Sequence, residues 1–289
     1  MNVGEAYAVC ERLARTHYEN FPVATKILPR RMRPHIAAIY AFARTADDFA
    51  DEGALTQEER LLKLDDWSER LRKCVDGVTA EDDAIFVALA QTVRDCKLPT
   101  SLFEDLLSAF RQDVTTTRYE TWDDVLDYSR RSANPIGRLV LRVAGYVDDD
   151  LDAASDAVCT ALQLTNFWQD LERDWQRGRL YVPIEEARAS GADIADLDRK
   201  RFTPAWRAVM ADLAERTRLL FEAGRPVCDV VPGRLGFELR LTWLGGRRIL
   251  DALDAIGFDV FDRRPTLGAA DIPGLAWQAL TWRRSSATR

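Results

Sequence analysis

The side chains with the clearest chemical use in this sequence are acids placed at helical spacing. Between Ile39 and Glu52, the residues Tyr40, Arg44, Asp47, Asp48 and Asp51 recur at intervals of three and four, so a helix would carry them on one face. Asp47 and Asp51 would stand about 6 Å apart along the axis, at a rise of ~1.5 Å per residue. The rest of the stretch is mostly Ile, Phe and Ala, the content of a buried helix. Acids in that setting repel one another and cost desolvation energy unless a positive charge sits among them. A divalent cation meets that need, and carboxylate oxygens with retained waters suit Mg²⁺.

A second stretch repeats the device. Gln163, Asn166, Asp170 and Asp174 follow one another at spacings of three, four and four, with Phe167, Trp168 and Trp175 beside them. The pattern stops at Gly178, and Arg179 and Tyr181 follow. Two acidic faces in a helical bundle could each hold Mg²⁺ and bridge the metals to a diphosphate. Such a site neutralises a departing diphosphate with metal and Arg, while apolar surroundings shield the carbocation left behind. The other acidic runs, Asp65-Asp66, Asp82-Asp83, Asp123-Asp124 and Asp148-Asp149-Asp150, are read as helix starts or polar turns, where the helix dipole and solvent account for them.

The elements that must position these faces read as helices throughout. Besides the acidic helix near 39–52, the periodicity predicts helices near 4–19, 56–75, 81–96, 100–116, 122–146, 151–176, 203–229 and 233–257. Thr56 and Glu59 form a capping-box signature that opens one of them. No alternating Val/Ile/Thr run is bounded by a hairpin turn, so the predicted class is all-α. Residues 177–202, with Gly178, Pro183 and Gly191, read as a loop with short turns. No internal repeat, low-complexity tract or long linker divides the chain, so residues 1–289 are read as one domain with a fraying tail at 285–289.

Composition narrows the function classes. The formal net charge of −7 argues against general nucleic-acid binding. Five scattered cysteines without a C-x-x-C pair suggest reduced thiols in a cytosol. Two histidines, His17 and His35, exclude a multi-histidine zinc site. No P-loop signature is present. The N-terminus lacks an apolar signal region, and no segment offers the ~20 apolar residues needed to span a bilayer. Two segments could still touch a membrane surface: the basic run Arg30, Arg31 and Arg33, and the C-terminal Ala276–Arg284, read either as an interfacial helix or as one packed on the body.

With these motifs in place, the sequence resembles the squalene/phytoene synthase family of head-to-head prenyl-diphosphate enzymes, from His17 to about residue 260. Arg44 to Asp51 resembles the family's first aspartate-rich motif. Leu162 to Asp174, running into Arg177–Pro183, resembles the second, and Tyr128 to Gly137 the central motif. The resemblance implies an all-α isoprenoid-synthase fold, a helical bundle around a central apolar cavity. It places Asp47, Asp48 and Asp51 on Mg²⁺ at one side and Asn166, Asp170 and Asp174 on Mg²⁺ at the other, with about two or three ions in all. Arg44, Gln163, Asn166, Arg179 and Tyr181 would hold the diphosphate or its metals. His17 and Asn20 would lie near the diphosphate, and Tyr40 and Tyr128 would line the cavity, Tyr128 joining Asp47, Asp51, Asp170 and Asp174 as a catalytic group.

The departures from the family pattern point to one branch. His17-Tyr18-Glu19-Asn20-Phe21-Pro22, Asn134-Pro135 and Phe167-Trp168-Gln169 are most similar to the bacterial hopanoid-pathway branch that converts presqualene diphosphate to hydroxysqualene. Gln169 stands where relatives carry an arginine, and one fewer cation fits a site that handles a single diphosphate. This branch implies Mg²⁺ without NADPH, and a setting in the cytoplasm or at the inner face of the membrane beside other squalene-pathway enzymes. Two alternatives stay open: condensation of two farnesyl diphosphates to presqualene diphosphate, squalene or dehydrosqualene, and a non-catalytic assembly factor with the same fold.

Overall fold

The computed structural model describes residues 1–16, 27–80 and 82–283. His17, Asn20, Phe21, Pro22 and the tail at 285–289 lie outside the described residues. Among the described residues the chain is helical, without a strand; Arg118 and Leu180 form an isolated parallel bridge. The all-α expectation is met. Contacts group the chain into two units, residues 1–116 with 135–152, and residues 117–134 with 153–289.

The first unit contains α1 (Val3–Thr16), α2 (Arg33–Asp51), α3 (Gln57–Val75), α4 (Ala84–Cys96), α5 (Ser101–Thr115) and most of α7 (Asn134–Ala144). The acidic helix α2 is its hub and packs against α1, α3, α4 and α5. Small residues let α1 approach closely: Ala6, Cys10 and Ala14 meet Ala37, Ala38 and Ala41. The opposite packing is aromatic. Phe42 is fully buried and lies 5.3 to 5.9 Å, ring to ring, from Trp67, Phe86 and Phe103. Each such buried ring contributes roughly 1.5–3 kcal/mol of transfer free energy. The Thr56–Glu59 capping box forms as expected, with both reciprocal bonds present.

The second unit contains α6 (Trp122–Ser132), most of α8 (Asp149–Gln169), α9 (Leu171–Gln176), α10 (Ile184–Ala189), α11 (Ala195–Asp198), α12 (Pro204–Val230), α13 (Gly233–Ala255) and α14 (Ile272–Leu280). α8 and α12 run antiparallel at very close range. A Cβ added at Gly224 would meet the Ala154 carbonyl oxygen and the Val158 backbone nitrogen at 2.8 Å. The Trp168 indole, fully buried, donates to Thr217 Oγ1 at 2.9 Å, and Trp243 donates to the Phe221 carbonyl at 2.7 Å. These bonds tie α8, α12 and α13 into one core.

Three sequence expectations change. The single helix expected over 122–146 breaks at Ala133, because Pro135 has no N–H and its ring would clash with the carbonyl four residues earlier. The helix expected over 151–176 bends at Asp170, whose backbone sits at φ −102, ψ 11. Hydrogen bonds still run through the bend, from Asp170 N to Asn166 O and from Asp174 N to Asp170 O. Asp65 and Asp66, read as a helix start or turn, instead lie midway along α3 on its exposed face, where Arg111 and Arg70 pair with them. The other acidic runs do lie at helix starts: Asp83 and Asp148 each accept from a first-turn backbone N–H, and Asp124 accepts from the N–H of the capping residue Thr121.

Candidate active site

On α2 the buried face is Ala37, Ala38, Ile39, Ala41, Phe42, Ala46 and Ala50. The acids lie on its border. Asp47 and Asp48 keep 35% and 29% of their side-chain surface, and Asp51 is exposed. This corrects the premise that the acids are buried. Arg44 supplies the positive charge from within the same motif: its guanidinium lies 3.1 Å from Asp47 Oδ2, 2.7 Å from Asp48 Oδ1 and 2.7 Å from Glu52 Oε1. Burial alone would pull Arg44 down, but Asp47, Asp48 and Glu52 together hold it above its ordinary value. One turn earlier, burial raises the Tyr40 phenol, which keeps it a neutral hydroxyl. Tyr40, Arg44 and the acids thus form a contiguous polar strip on a helix anchored by its other side.

The second motif spans α8, the bend and α9. Leu164, Thr165, Phe167, Trp168 and Gln169 turn into the core, while Gln163, Asp170 and Asp174 are half-buried and Asn166 is exposed. Asp170 is held in a two-point grip: Arg264 Nε lies 2.6 Å from Oδ1 and Nη2 lies 2.8 Å from Oδ2. Arg173 adds a longer contact at 3.6 Å. The Gln169 side-chain amide donates to the Pro265 carbonyl. The segment at 264–265 is therefore bonded to two consecutive side chains at the bend.

This revises the reading of Gln169. Its amide is buried and engaged with backbone, and a cation reaches the motif from Arg264 instead. A count of one fewer positive charge does not separate the two half-reactions.

Tyr128 and Tyr181 come together around Phe167. Phe167 and Tyr181 stack with centroids 3.7 Å apart and planes 3° from parallel. Tyr128 lies 5.9 Å from Tyr181 and 6.1 Å from Phe167, and Tyr119 lies 5.5 Å from Tyr181. All four rings are buried. The backbone explains the assembly: Leu180 N donates to Thr117 O and Ile184 N to Tyr119 O, so 117–120 runs beside 180–185. Arg118 stacks 4.7 Å over Trp175 and donates to the Gly178 carbonyl, fixing the turn that leads to Arg179 and Tyr181. The Arg179 backbone N–H closes that turn on Asp174 O at 2.7 Å.

Sequence reasoning missed Arg264 and Tyr119. Neither belongs to a spaced motif; Arg264 sits 94 residues from its partner, and only the fold supplies the pairing.

Among the buried acids outside both motifs, Asp113, Asp152, Asp196 and Glu238, Glu238 has the most displaced titration. Glu238 on α13 is 8% exposed, and its Oε2 lacks a hydrogen-bond partner. Burial pushes its carboxyl from 4.5 up to about 7. A raised folded-state value means that stability is full below about pH 4.5 and is lost as the pH rises to about 7, with no further change from this group above that. Glu238→Gln is expected to raise stability at pH 8 by on the order of 3 kcal/mol and to flatten the slope between pH 5 and 7, as read by urea melts across that range.

Among the described residues the chain is all-α and carries two acid–arginine faces, and its similarity to known proteins identifies the family. A family model described as squalene/phytoene synthase matches residues 14–271, and the chain belongs to that family. A hydroxysqualene synthase of Rhodopseudomonas palustris is 38% identical over 245 residues, covering 84% of this chain and 82% of that protein. A hydroxysqualene synthase of Zymomonas mobilis is 34% identical over 269 residues, covering 92% and 88%. The crystal structure of squalene synthase HpnC from Alicyclobacillus acidocaldarius superposes with a TM-score of 0.83 at 41% identity, covering 89% of this chain and 95% of that one.

Proposed function

We propose that this protein converts presqualene diphosphate to hydroxysqualene. The observation that carries the choice of step is the similarity to hydroxysqualene synthases at 34–39% identity. The second-motif geometry is compatible with it.

Among the described residues, no three His, Cys, Asp or Glu side chains converge into a ready cation cage. Mg²⁺ keeps several waters and is usually bound by one or two carboxylates together with substrate phosphates. Asp47, Asp48 and Asp51 would hold it on α2, and Asn166, Asp170 and Asp174 on the second motif. When bound, Mg²⁺ would neutralise charge on the leaving diphosphate. Arg44 already contacts Asp47 and Asp48, and Arg264 contacts Asp170, so each is placed to move from carboxylate to phosphate oxygens. Loss of diphosphate leaves a cyclopropylcarbinyl cation. The electron-rich faces of Tyr119, Tyr128, Phe167 and Tyr181 suit a developing positive charge. The cation rearranges, and water adds and loses a proton to give the alcohol. Since water and not hydride ends the reaction, no NADPH is required.

A second reading draws on the solved relative at 41% identity, described as a squalene synthase: condensation of two farnesyl diphosphates. Incubation with farnesyl diphosphate alone separates the two. The proposal expects no C30 product from it and turnover of presqualene diphosphate under the same conditions; a C30 product from farnesyl diphosphate alone would overturn the choice of step. Retention of both acidic motifs speaks against a non-catalytic assembly role.

A further inference from the structure

A buried carboxylate without a partner weakens a fold, and this molecule keeps one at Glu238. Its Oε2 is buried without a hydrogen bond, and burial alone displaces its titration, with no charged neighbour contributing. Other acids of similar burial are engaged: Asp152 pairs with Arg142, and Asp196 lies 3.7 Å from Arg201. A group that the fold would be more stable without belongs where chemistry uses it.

Its position on α13 indicates which chemistry. Gly245, seven residues on, shares the side of the helix that carries Glu238. A Cβ at Gly245 would meet Leu267 Cδ1 at 3.2 Å, and one at the adjoining Gly246 would meet Leu162 Cδ2 at 2.6 Å. Leu162 precedes Gln163, where the second motif begins, and Leu267 follows the 264–265 segment bonded to Gln169 and Asp170. The face of α13 that carries Glu238 is therefore turned toward the second motif. Glu238 stands about 10 Å back from Gly245 along the axis, at ~1.5 Å per residue. That setback separates two duties. Asp170 is committed to Arg264, whereas Glu238 holds no cation among the described residues and is free to take a proton. Its carboxyl, pushed up to about 7, lies in the range that suits a general base near neutral pH. The imidazole of His35 is engaged elsewhere, in the first unit, with Nδ1 3.1 Å from both the Tyr7 hydroxyl and Thr92 Oγ1.

We propose that Glu238 is the base that takes the proton from the water that captures the cation. The inference rests on the presqualene diphosphate reading above and supplies the proton acceptor that it leaves unassigned. After diphosphate has left, a lone pair on water forms the C–O bond to the cationic carbon and gives a protonated alcohol. One O–H bond of that oxonium then breaks. Its electron pair stays on oxygen as the neutral alcohol, and the proton passes to Glu238 Oε2. The carboxylic acid returns its proton to solvent before the next turnover. Without the carboxylate, the cation's exit is loss of a C–H proton, for which the departed diphosphate can serve as base, and the product is a C30 hydrocarbon.

The test gives presqualene diphosphate and Mg²⁺ at pH 8 to the wild type, Glu238→Gln and Glu238→Asp, and measures released diphosphate, product composition and melting temperature. Glu238→Gln is expected to release diphosphate within threefold of the wild-type rate, to form at least tenfold less hydroxysqualene with hydrocarbon in its place, and to melt no lower than the wild type. Glu238→Asp, which keeps a carboxylate, should restore part of the alcohol. A Glu238→Gln variant with the wild-type product ratio would overturn the assignment while leaving the reaction itself standing. Equal loss of diphosphate release and alcohol in Glu238→Gln would also overturn it, since the residue would then act before capture. A wild type that forms no alcohol would instead overturn the choice of step, and this assignment with it.

Discussion

Asp170→Asn is expected to lower diphosphate release at least ~100-fold, the scale seen when one group that stabilises developing charge is removed from a site. The substitution keeps the shape of the side chain and removes its charge. Because Asp170 also pairs with Arg264 at 2.6 and 2.8 Å, the variant loses an ion pair as well. Both partners keep about a quarter of their surface, so that loss is on the order of 1 kcal/mol. Arg264→Gln breaks the same pair while sparing the carboxylate. The two variants should therefore melt alike, and the activity loss should be far larger for Asp170→Asn. Steady-state kinetics beside thermal melts makes the comparison. An Asp170→Asn variant with near wild-type turnover would remove the carboxylate from the chemistry.

Gly224→Ala is expected to cost about 2–3 kcal/mol, a typical overpacking penalty. The new Cβ would press on the Ala154 carbonyl oxygen and the Val158 nitrogen, which are backbone atoms of α8 and cannot swing aside. The gain in helix propensity, about 1 kcal/mol for Gly to Ala, offsets only part of the clash. For a chain of this length the shift in melting temperature is roughly 3–5 °C. α8 also carries Gln163 and Asn166 and leads into Asp170, so α12 forced away from α8 should impair the second motif along with stability. Melting beside activity measured well below the transition would show both effects.

The part of this molecule that sequence made legible is the part governed by local spacing. Thr56 and Glu59 declare their capping box within four residues, and the polar strip on α2 follows directly from intervals of three and four. The helix break at Ala133 was also available, since Pro135 marks it. What sequence could not supply is pairing across long separations: Arg264 with Asp170, Gln169 with the Pro265 carbonyl, and the Tyr119–Tyr181–Phe167 stack. Composition also misjudged burial on α2. Ala and Phe around the acids do make a buried helix, yet only on the face away from them, and Arg44 is the counter-charge the acids already have. His17 and Asn20, both assigned roles near the diphosphate, lie outside the described residues.

The central claim is that presqualene diphosphate is ionised with Mg²⁺ and the resulting cation is captured by water. Incubating the protein with presqualene diphosphate in ¹⁸O-labelled water, with Mg²⁺ and with EDTA in its place, tests every part of that statement in one product analysis. The predicted result is hydroxysqualene carrying ¹⁸O at its hydroxyl, formed with Mg²⁺ and absent with EDTA. A hydrocarbon as the sole product, an unlabelled alcohol, or equal conversion in EDTA would contradict it.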